Sequence, residues 1–330
     1  MDIDEFVALS VKHNASDLHL CTAQPLMMRI DGELQPLTGD AVLPAEDMQR
    51  LCAALLDERQ LRQLRRTGQL DCALTTTGGT RLRANFFYQR TGVSLALRRI
   101  AERCPTLEQL QAPAIIPALT EREEGLILVT GATGSGKSTT LAAMIDHINR
   151  HQRRHILTLE DPIEFIHHSA QSLIQQRELG RDTRSFDAAL SAALREDPDV
   201  ILVGELRDSA SIRLALTAAE TGHLVLATLH TRNAPQAVER VIDVFPAEEK
   251  AYVRAQLASG LQAVIAQKLQ RRVGGGRTAV FEILTATPAV SSMIREGKTH
   301  QLASVLQSGA QAGMQTFAQG IQQRIAQGIL

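Results

Sequence analysis

The stretch that most restricts how this chain can fold is Gly131-Ala132-Thr133-Gly134-Ser135-Gly136-Lys137-Ser138. It is a complete G-x-x-x-x-G-K-S loop. Upstream, Leu126-Ile127-Leu128-Val129 reads as a buried strand, and downstream Leu141, Met144, Ile145 and Ile148 recur at helical spacing. A strand, a glycine loop and a helix in that order point backbone N–H groups and the positive end of a helix dipole at one polyphosphate. In such a cradle Lys137 is expected to reach the terminal phosphates and Ser138 to ligate Mg²⁺, with Thr139 completing the phosphate-binding set. ATP and Mg²⁺ are the expected cofactors.

The 330 residues are 44% hydrophobic and 22% charged, enough for two cores. Thirty-five basic against 36 acidic residues leave a net charge of −1, and aromatics are 3% with no Trp. Neither a polyanion-binding surface nor a set of stacking platforms follows, so nucleic acid is not an expected partner. Cys21, Cys52, Cys72 and Cys104 form no C-x-x-C pair, which favours buried reduced thiols over disulfides or zinc. The N-terminal MDIDEFVALSVKH is acidic and amphipathic, unlike a signal peptide, and no apolar run has transmembrane length. A cytoplasmic protein that docks on a membrane complex is the expectation.

Periodicity breaks between Pro105 and Pro117, where prolines favour extended backbone. The predicted organisation is an N-terminal domain over 1–104, a linker over 105–120 and a second domain over 121–330. In the first, short strands are predicted at 18–20, 27–30 (followed by an Asp31-Gly32 turn), 70–74, 81–86 and 94–98, with a Gly78-Gly79 hairpin and a helix from about Pro44 to Leu64. That is a small α+β domain. In the second, strands at 126–130, 155–160, 200–204 and 224–230 alternate with helices at 137–149, 186–196 and 209–220, the signature of a parallel α/β sheet with its ligand at the strands' carboxyl ends. From about 248 onward the pattern reads helical, apart from Gly274-Gly275-Gly276 and a strand over 279–284.

Those carboxyl ends carry further chemistry. Glu205 follows Ile201-Leu202-Val203-Gly204, where a P-loop hydrolase holds an acid that polarises the attacking water, with Gly204 at a position where many such enzymes have a metal-binding Asp. Glu160, Asp161 and Glu164 gather around Pro162 at another strand end. His223 and His230 bracket the next strand; His230 is placed to contact a terminal phosphate, whereas His223 lies at the opposite end unless the preceding turn folds back. The pair lacks a third ligand for a metal.

Taken together, GATGSGKSTTLAAM, ILTLEDPIEF, ALREDPDVILVGELRD and AAETGHLVLATLHT resemble the Walker A, Asp box, Walker B and His box of the secretion ATPase superfamily, most closely its PilT-type type IV pilus retraction ATPases. The likeness runs from Ser16-Asp17-Leu18-His19-Leu20 through RVIDVFPAEEK to Gly313-Met314-Gln315-Thr316. The resemblance implies a PAS-like N-terminal domain, a RecA-like P-loop ATPase domain, and a homohexamer at the cytoplasmic face of the inner-membrane pilus platform complex. It implies that Glu205 is the catalytic glutamate, Glu160 and Glu164 the Asp-box acids, and His223 and His230 the His-box pair. It also implies that Arg83 and Arg98 are the N-domain arginines that reach nucleotide across a junction, with Arg81 and Arg99 as alternatives.

Two departures stand out. Where retraction ATPases carry AIRNLIRE, this chain has Ala289-Val290-Ser291-Ser292-Met293-Ile294-Arg295-Glu296, and it stops at Ile329-Leu330, short of the family's longer tail. Conversely, assembly and type II secretion ATPases carry a tetracysteine zinc insertion, and here no cysteine follows Cys104. Pilus retraction is therefore the expected role. A pilus assembly or secretion ATPase, a nucleic-acid translocase on the same core and a non-hydrolysing nucleotide-gated subunit are the alternatives.

Overall fold

The computed structural model describes residues 3–30, 33–37, 42–100 and 103–330; the Asp31-Gly32 turn lies outside them. The chain divides into two compact units, one of residues 1–103 with Pro162–Phe165, the other of Cys104–Asp161 with Ile166–Leu330.

In the first unit, β1 (Asp17–Cys21), β2 (Met27–Ile30), β3 (Glu33–Pro36), β4 (Gln69–Thr75), β5 (Arg81–Gln89) and β6 (Gly92–Arg99) form an antiparallel sheet in the order β3-β2-β1-β6-β5-β4. Alternation decides its faces: Leu18, Leu20, Leu82, Phe86, Leu95 and Leu97 turn to one side and are buried, while Asp17, Arg83 and Arg98 occupy the other. Helices α1 (Ile3–Lys12), α2 (Ala45–Leu55) and α3 (Glu58–Thr67) supply Val7, Met48, Leu51 and Leu64 to that core.

The single helix expected over 44–64 is thus two. Leu56 is extended (φ −113°, ψ 139°), and Asp57 then starts α3 with a capping box in which its carboxylate accepts from the Gln60 N–H while the Gln60 side chain accepts from the Asp57 N–H. A local cap outcompetes a continuous apolar stripe because it satisfies otherwise orphaned N–H groups. The Gly78-Gly79 hairpin forms, closed by the Thr76 N–H on the Thr80 carbonyl at 2.9 Å.

The second unit is built on seven strands: β7 (Gly125–Thr130), β8 (His155–Glu160), β9 (Leu173–Glu178), β10 (Val200–Val203), β11 (Leu224–Leu229), β12 (Leu261–Arg271) and β13 (Arg277–Thr285), ordered β13-β12-β7-β11-β10-β8-β9. All neighbours are parallel except β12 with β13. Central strands β7, β10 and β11 are buried at every position, as expected for a parallel sheet covered on both faces. On one face Ile127, Val129, Leu202 and Leu226 meet Leu141, Met144 and Ile148 of α5 (Lys137–His151). On the other, Leu128, Leu157, Val203 and Val225 meet α6 (Phe186–Ala193), α7 (Ser209–Glu220), α8 (Ala234–Asp243) and α9 (Lys250–Gly260).

Three expectations change here. Residues 261–271 are an eleven-residue strand, not helix: Ala, Gln, Lys and Leu are good helix formers, but pairing with both β7 and β13 overrides that weak propensity. The segment 105–120 is not an extended linker: Leu107, Ile116 and Leu119 are buried in the second unit, the last two on the short helix Ile115–Thr120. The helix expected over 186–196 stops at Ala193. Strands β3 and β9, which carry no alternating apolar pattern, were not predicted. None of the four cysteines is in a disulfide; Cys52 and Cys72 are buried and Cys21 and Cys104 half-buried.

Phe86 is fully buried at the centre of the first unit's sheet. Phe86→Ala should lower that unit's stability by about 3–5 kcal/mol, read as a shifted midpoint in urea unfolding.

Candidate nucleotide site

Strand β7 ends at Thr130, and the glycine loop runs from Gly131 into α5, whose N-cap is Gly136. Two glycines are obligatory. Gly131 has φ +150° and a Cβ there would stand 2.4 Å from the Gln267 carbonyl; Gly136 has φ +88° and its Cβ would stand 2.8 Å from the Gln267 side-chain nitrogen. The loop is therefore pressed against β12. Gln267, itself buried, accepts from the Thr140 hydroxyl at 2.6 Å and donates to the Ser135 carbonyl at 2.8 Å. One carboxamide thus pins the loop and the first turn of its helix.

Lys137 Nζ donates to the carbonyls of Gly131 at 2.9 Å and Ala132 at 3.2 Å, and lies 3.4 Å from His230 Nδ1. An ammonium only donates, so Nδ1 accepts and the imidazole carries its proton on Nε2. That nitrogen is 3.0 Å from Glu205 Oε1, and the other oxygen, Oε2, accepts from Arg207 Nε at 2.8 Å. Arg207 also approaches Asp161 at 3.8 Å; its bond to Glu205 and the nearby carboxylates hold its guanidinium more firmly protonated. A continuous polar chain runs from the phosphate-loop lysine through His230 to Glu205 and Arg207.

The strand ends are locked to one another. Thr130 Oγ1 donates to the Thr231 carbonyl at 2.7 Å and accepts from the Thr231 N–H at 2.9 Å, which fixes the residue beside His230. The Gly204 N–H bonds the Leu159 carbonyl at 2.7 Å, so closely that a Cβ at 204 would crowd that oxygen at 3.1 Å. Backbone approach explains the glycine where an acid was conceivable. Glu160, at the end of β8, accepts from Thr158 at 2.7 Å and Gln176 at 3.1 Å.

Not every expected residue is gathered here. His223 sits before β11, its ring on the Ala218 carbonyl at 3.0 Å and its own carbonyl on the Gly125 N–H. It stands at the amino end of the sheet, one strand length from the loop; the preceding turn does not fold back. Glu164 belongs to the first unit, where Arg81 donates to the carbonyls of Ile163 at 2.7 Å and Glu164 at 3.1 Å. Arg83 and Arg98 face each other across β5 and β6, both exposed, with Arg98 Nε 2.7 Å from Asp17. Burial raises the Asp17 pKa, but bonds from Ser16 and Arg98 outweigh it and hold the carboxyl below its ordinary range.

The loop fits a polyphosphate. Ser135 Oγ is buried and has no hydrogen-bond partner among the described residues, a donor left for a ligand. For Mg²⁺ the fit is partial on the protein side: Ser138 is exposed in the first turn of α5, and among the described residues no group of three or more His, Cys, Asp or Glu could hold a metal alone. Mg²⁺ commonly takes one or two protein oxygens and completes its shell with phosphate and water.

The family model for type II/IV secretion system proteins matches residues 1–330. The chain belongs to the type II/IV secretion system protein family. Within that family, YggR of Escherichia coli (strain K12), described as uncharacterized, is 58% identical over 330 residues and all of both chains. The type IV pilus retraction ATPase PilT of Pseudomonas aeruginosa is 46% identical over 330 residues, all of this chain and 96% of its own. The crystal structure of the pilus retraction motor PilT with bound ADP superposes with a TM-score of 0.92 at 43% identity, covering 100% of this chain and 94% of that one. The mixed α/β fold with its parallel sheet is the fold of that structure.

Gln267, Thr130 and Arg207 had escaped sequence reading. No sequence motif marks Gln267, because the segment that carries it reads as helix. Gln267→Leu leaves the Ser135 carbonyl and Thr140 hydroxyl buried without partners, at about 1–3 kcal/mol each. Binding of a fluorescent ADP analogue should weaken about tenfold or more, and Gln267→Glu, which keeps an acceptor for Thr140 but sets a buried carboxylate against the Ser135 carbonyl and the phosphates, should lose at least as much.

Proposed function

We propose that this family member is an Mg²⁺-dependent ATP hydrolase that works as a homohexameric motor at the cytoplasmic face of the inner-membrane pilus platform and drives pilus retraction. The observation that carries the reading is the Lys137–His230–Glu205–Arg207 chain at the carboxyl ends of the sheet, beside a complete phosphate loop, in a chain similar to PilT over its whole length. No helix among the described residues is long and apolar enough to cross a membrane.

In this reading backbone N–H groups of the glycine loop and the Lys137 ammonium bind the phosphates, Ser138 would hold Mg²⁺, and Glu160, at the end of β8, is the Asp-box acid assigned to the metal and phosphate. The metal supplies charge neutralisation on the transferring phosphoryl group. Glu205 orients the attacking water and takes its proton. His230 touches both Lys137 and Glu205, so the charge at the terminal phosphate position and the carboxylate that acts on water are linked through one imidazole. Arg83 and Arg98 are assigned to phosphate-charge stabilisation from another rigid body, as an arriving guanidinium does in loose phosphoryl transfer. The 1–104 and 121–330 assignment of PAS-like and RecA-like domains is retained, with 105–120 reassigned to the second.

Retraction is favoured over assembly or secretion because no cysteine lies beyond Cys104 to build a zinc insertion. Ser291 and Ser292 lie on α10 (Pro288–Arg295), half-buried, with Ser292 Oγ donating to Glu296 at 2.8 Å. Short hydroxyls here replace an Arg and an Asn that could reach a partner.

Lys137→Ala should abolish nucleotide binding, whereas Glu205→Gln should bind ATP normally and lose turnover by roughly a hundredfold or more; steady-state phosphate release near the parent rate in Glu205→Gln would remove Glu205 from the role of catalytic base. In a strain lacking its retraction motor, the parent chain should hydrolyse ATP but restore twitching poorly, and Ser291→Arg with Ser292→Asn should improve twitching without changing turnover. Full rescue by the parent would show that these serines do not limit coupling.

A further inference from the structure

The first unit contains a cavity of about 350 Å³ between α2, α3 and the turn joining β5 to β6, a size within the roughly 300–1,000 Å³ span of small-molecule sites. Nothing in the nucleotide chemistry uses it. Its floor is apolar, with Leu64 and Val93 buried and Leu61 partly so. Its mouth is formed by three exposed polar side chains, Gln49, Arg65 and Tyr88. The Tyr88 N–H bonds the Gly68 carbonyl at 2.9 Å, which ties β5 to the end of α3, the helix that carries Arg65.

Among the described residues the lining contains one guanidinium and no Asp or Glu. Glu58, the acid of α3, pairs with Arg62 instead, and Arg65 has no acidic partner among the described residues. The Thr22 hydroxyl is committed to the Val93 carbonyl at 2.6 Å, so recognition of a polar head falls to the mouth. Burial pushes the Cys52 thiol up to about 11; it stays protonated and offers no nucleophile, which makes the site a binding site and not a place for covalent chemistry.

We propose that this cavity binds a small amphiphilic monoanion, a carboxylate or sulfonate on a single short apolar body, with the head on Arg65, Tyr88 and Gln49 and the body against Leu61, Leu64 and Val93. A guanidinium pairs with a planar anion through a fork of donors, and the apolar floor gains by covering hydrocarbon. A two-chain lipid exceeds the cavity, so the occupant is a soluble molecule and not a membrane surface.

The test uses the full chain with saturating ADP, which blocks the nucleotide site, and 1-anilinonaphthalene-8-sulfonate as the probe. Saturable fluorescence at one probe per chain is expected, displaced by octanoate but not by 1-octanol at the same concentration, nor by phosphatidylglycerol vesicles. Arg65→Gln should weaken the probe about tenfold, as loss of a charged hydrogen bond does, and Ala53→Phe, a plug placed at an exposed lining position of α2, should abolish binding; both should keep the parent ATPase rate. Unsaturable fluorescence, equal displacement by octanol, displacement by the vesicles, or parent-like binding in both variants would each overturn the proposal.

Discussion

The pairing of β12 against β7 is the constraint on which the nucleotide site rests. It brings Gln267 under the glycine loop, where its carboxamide holds the Ser135 carbonyl and the Thr140 hydroxyl. It also presses the Gln267 backbone so close to Gly131 that no side chain fits there. A loop of small residues has many conformations in water, and ordering it costs about 1–2 kcal/mol per residue in backbone entropy. Here rigid strands impose that order in advance. The Ser135 hydroxyl, which has no hydrogen-bond partner among the described residues, is then held toward a ligand, as preorganised donors are in phosphoryl-transfer sites.

From that anchor the polar chain follows by adjacency. β7 carries Lys137 through its loop, β11 carries His230 and β10 carries Glu205, and these three strands are neighbours in the sheet. Parallel strands release their loops on one edge, so residues 137, 205 and 230 converge although they are far apart in sequence. The Thr130–Thr231 lock keeps the His230 backbone in register with the phosphate loop. His223 is excluded for the same reason: it precedes β11 and emerges at the opposite edge.

The two units solve burial differently, and this governs how readable each was. In the second, both faces of the sheet are covered, so β7, β10 and β11 are short apolar runs buried throughout and β8 is buried at its four inner positions, and their bounds are nearly those predicted from sequence. In the first, one face is buried and the other is polar, which yields the alternation seen in β5 and β6. The elements that escaped prediction are those whose partners, not their own residues, decide them. β12 is made of helix-compatible residues and becomes a strand between two others; α2 and α3 share an apolar stripe that the Asp57 cap divides.

The sequence by itself determined the phosphate loop with its strand and helix, the acid after β10, the histidine after β11 and the alternation of strands and helices, because each is a local pattern of residue type and period. The tertiary structure alone decided which of the separated groups meet: that Gln267 and Arg207 join the site, that His223 does not, and that 105–120 folds with the second unit. Those outcomes depend on strand order and on which edge of a sheet a residue leaves from, and neither is encoded in the spacing of residues along a single segment.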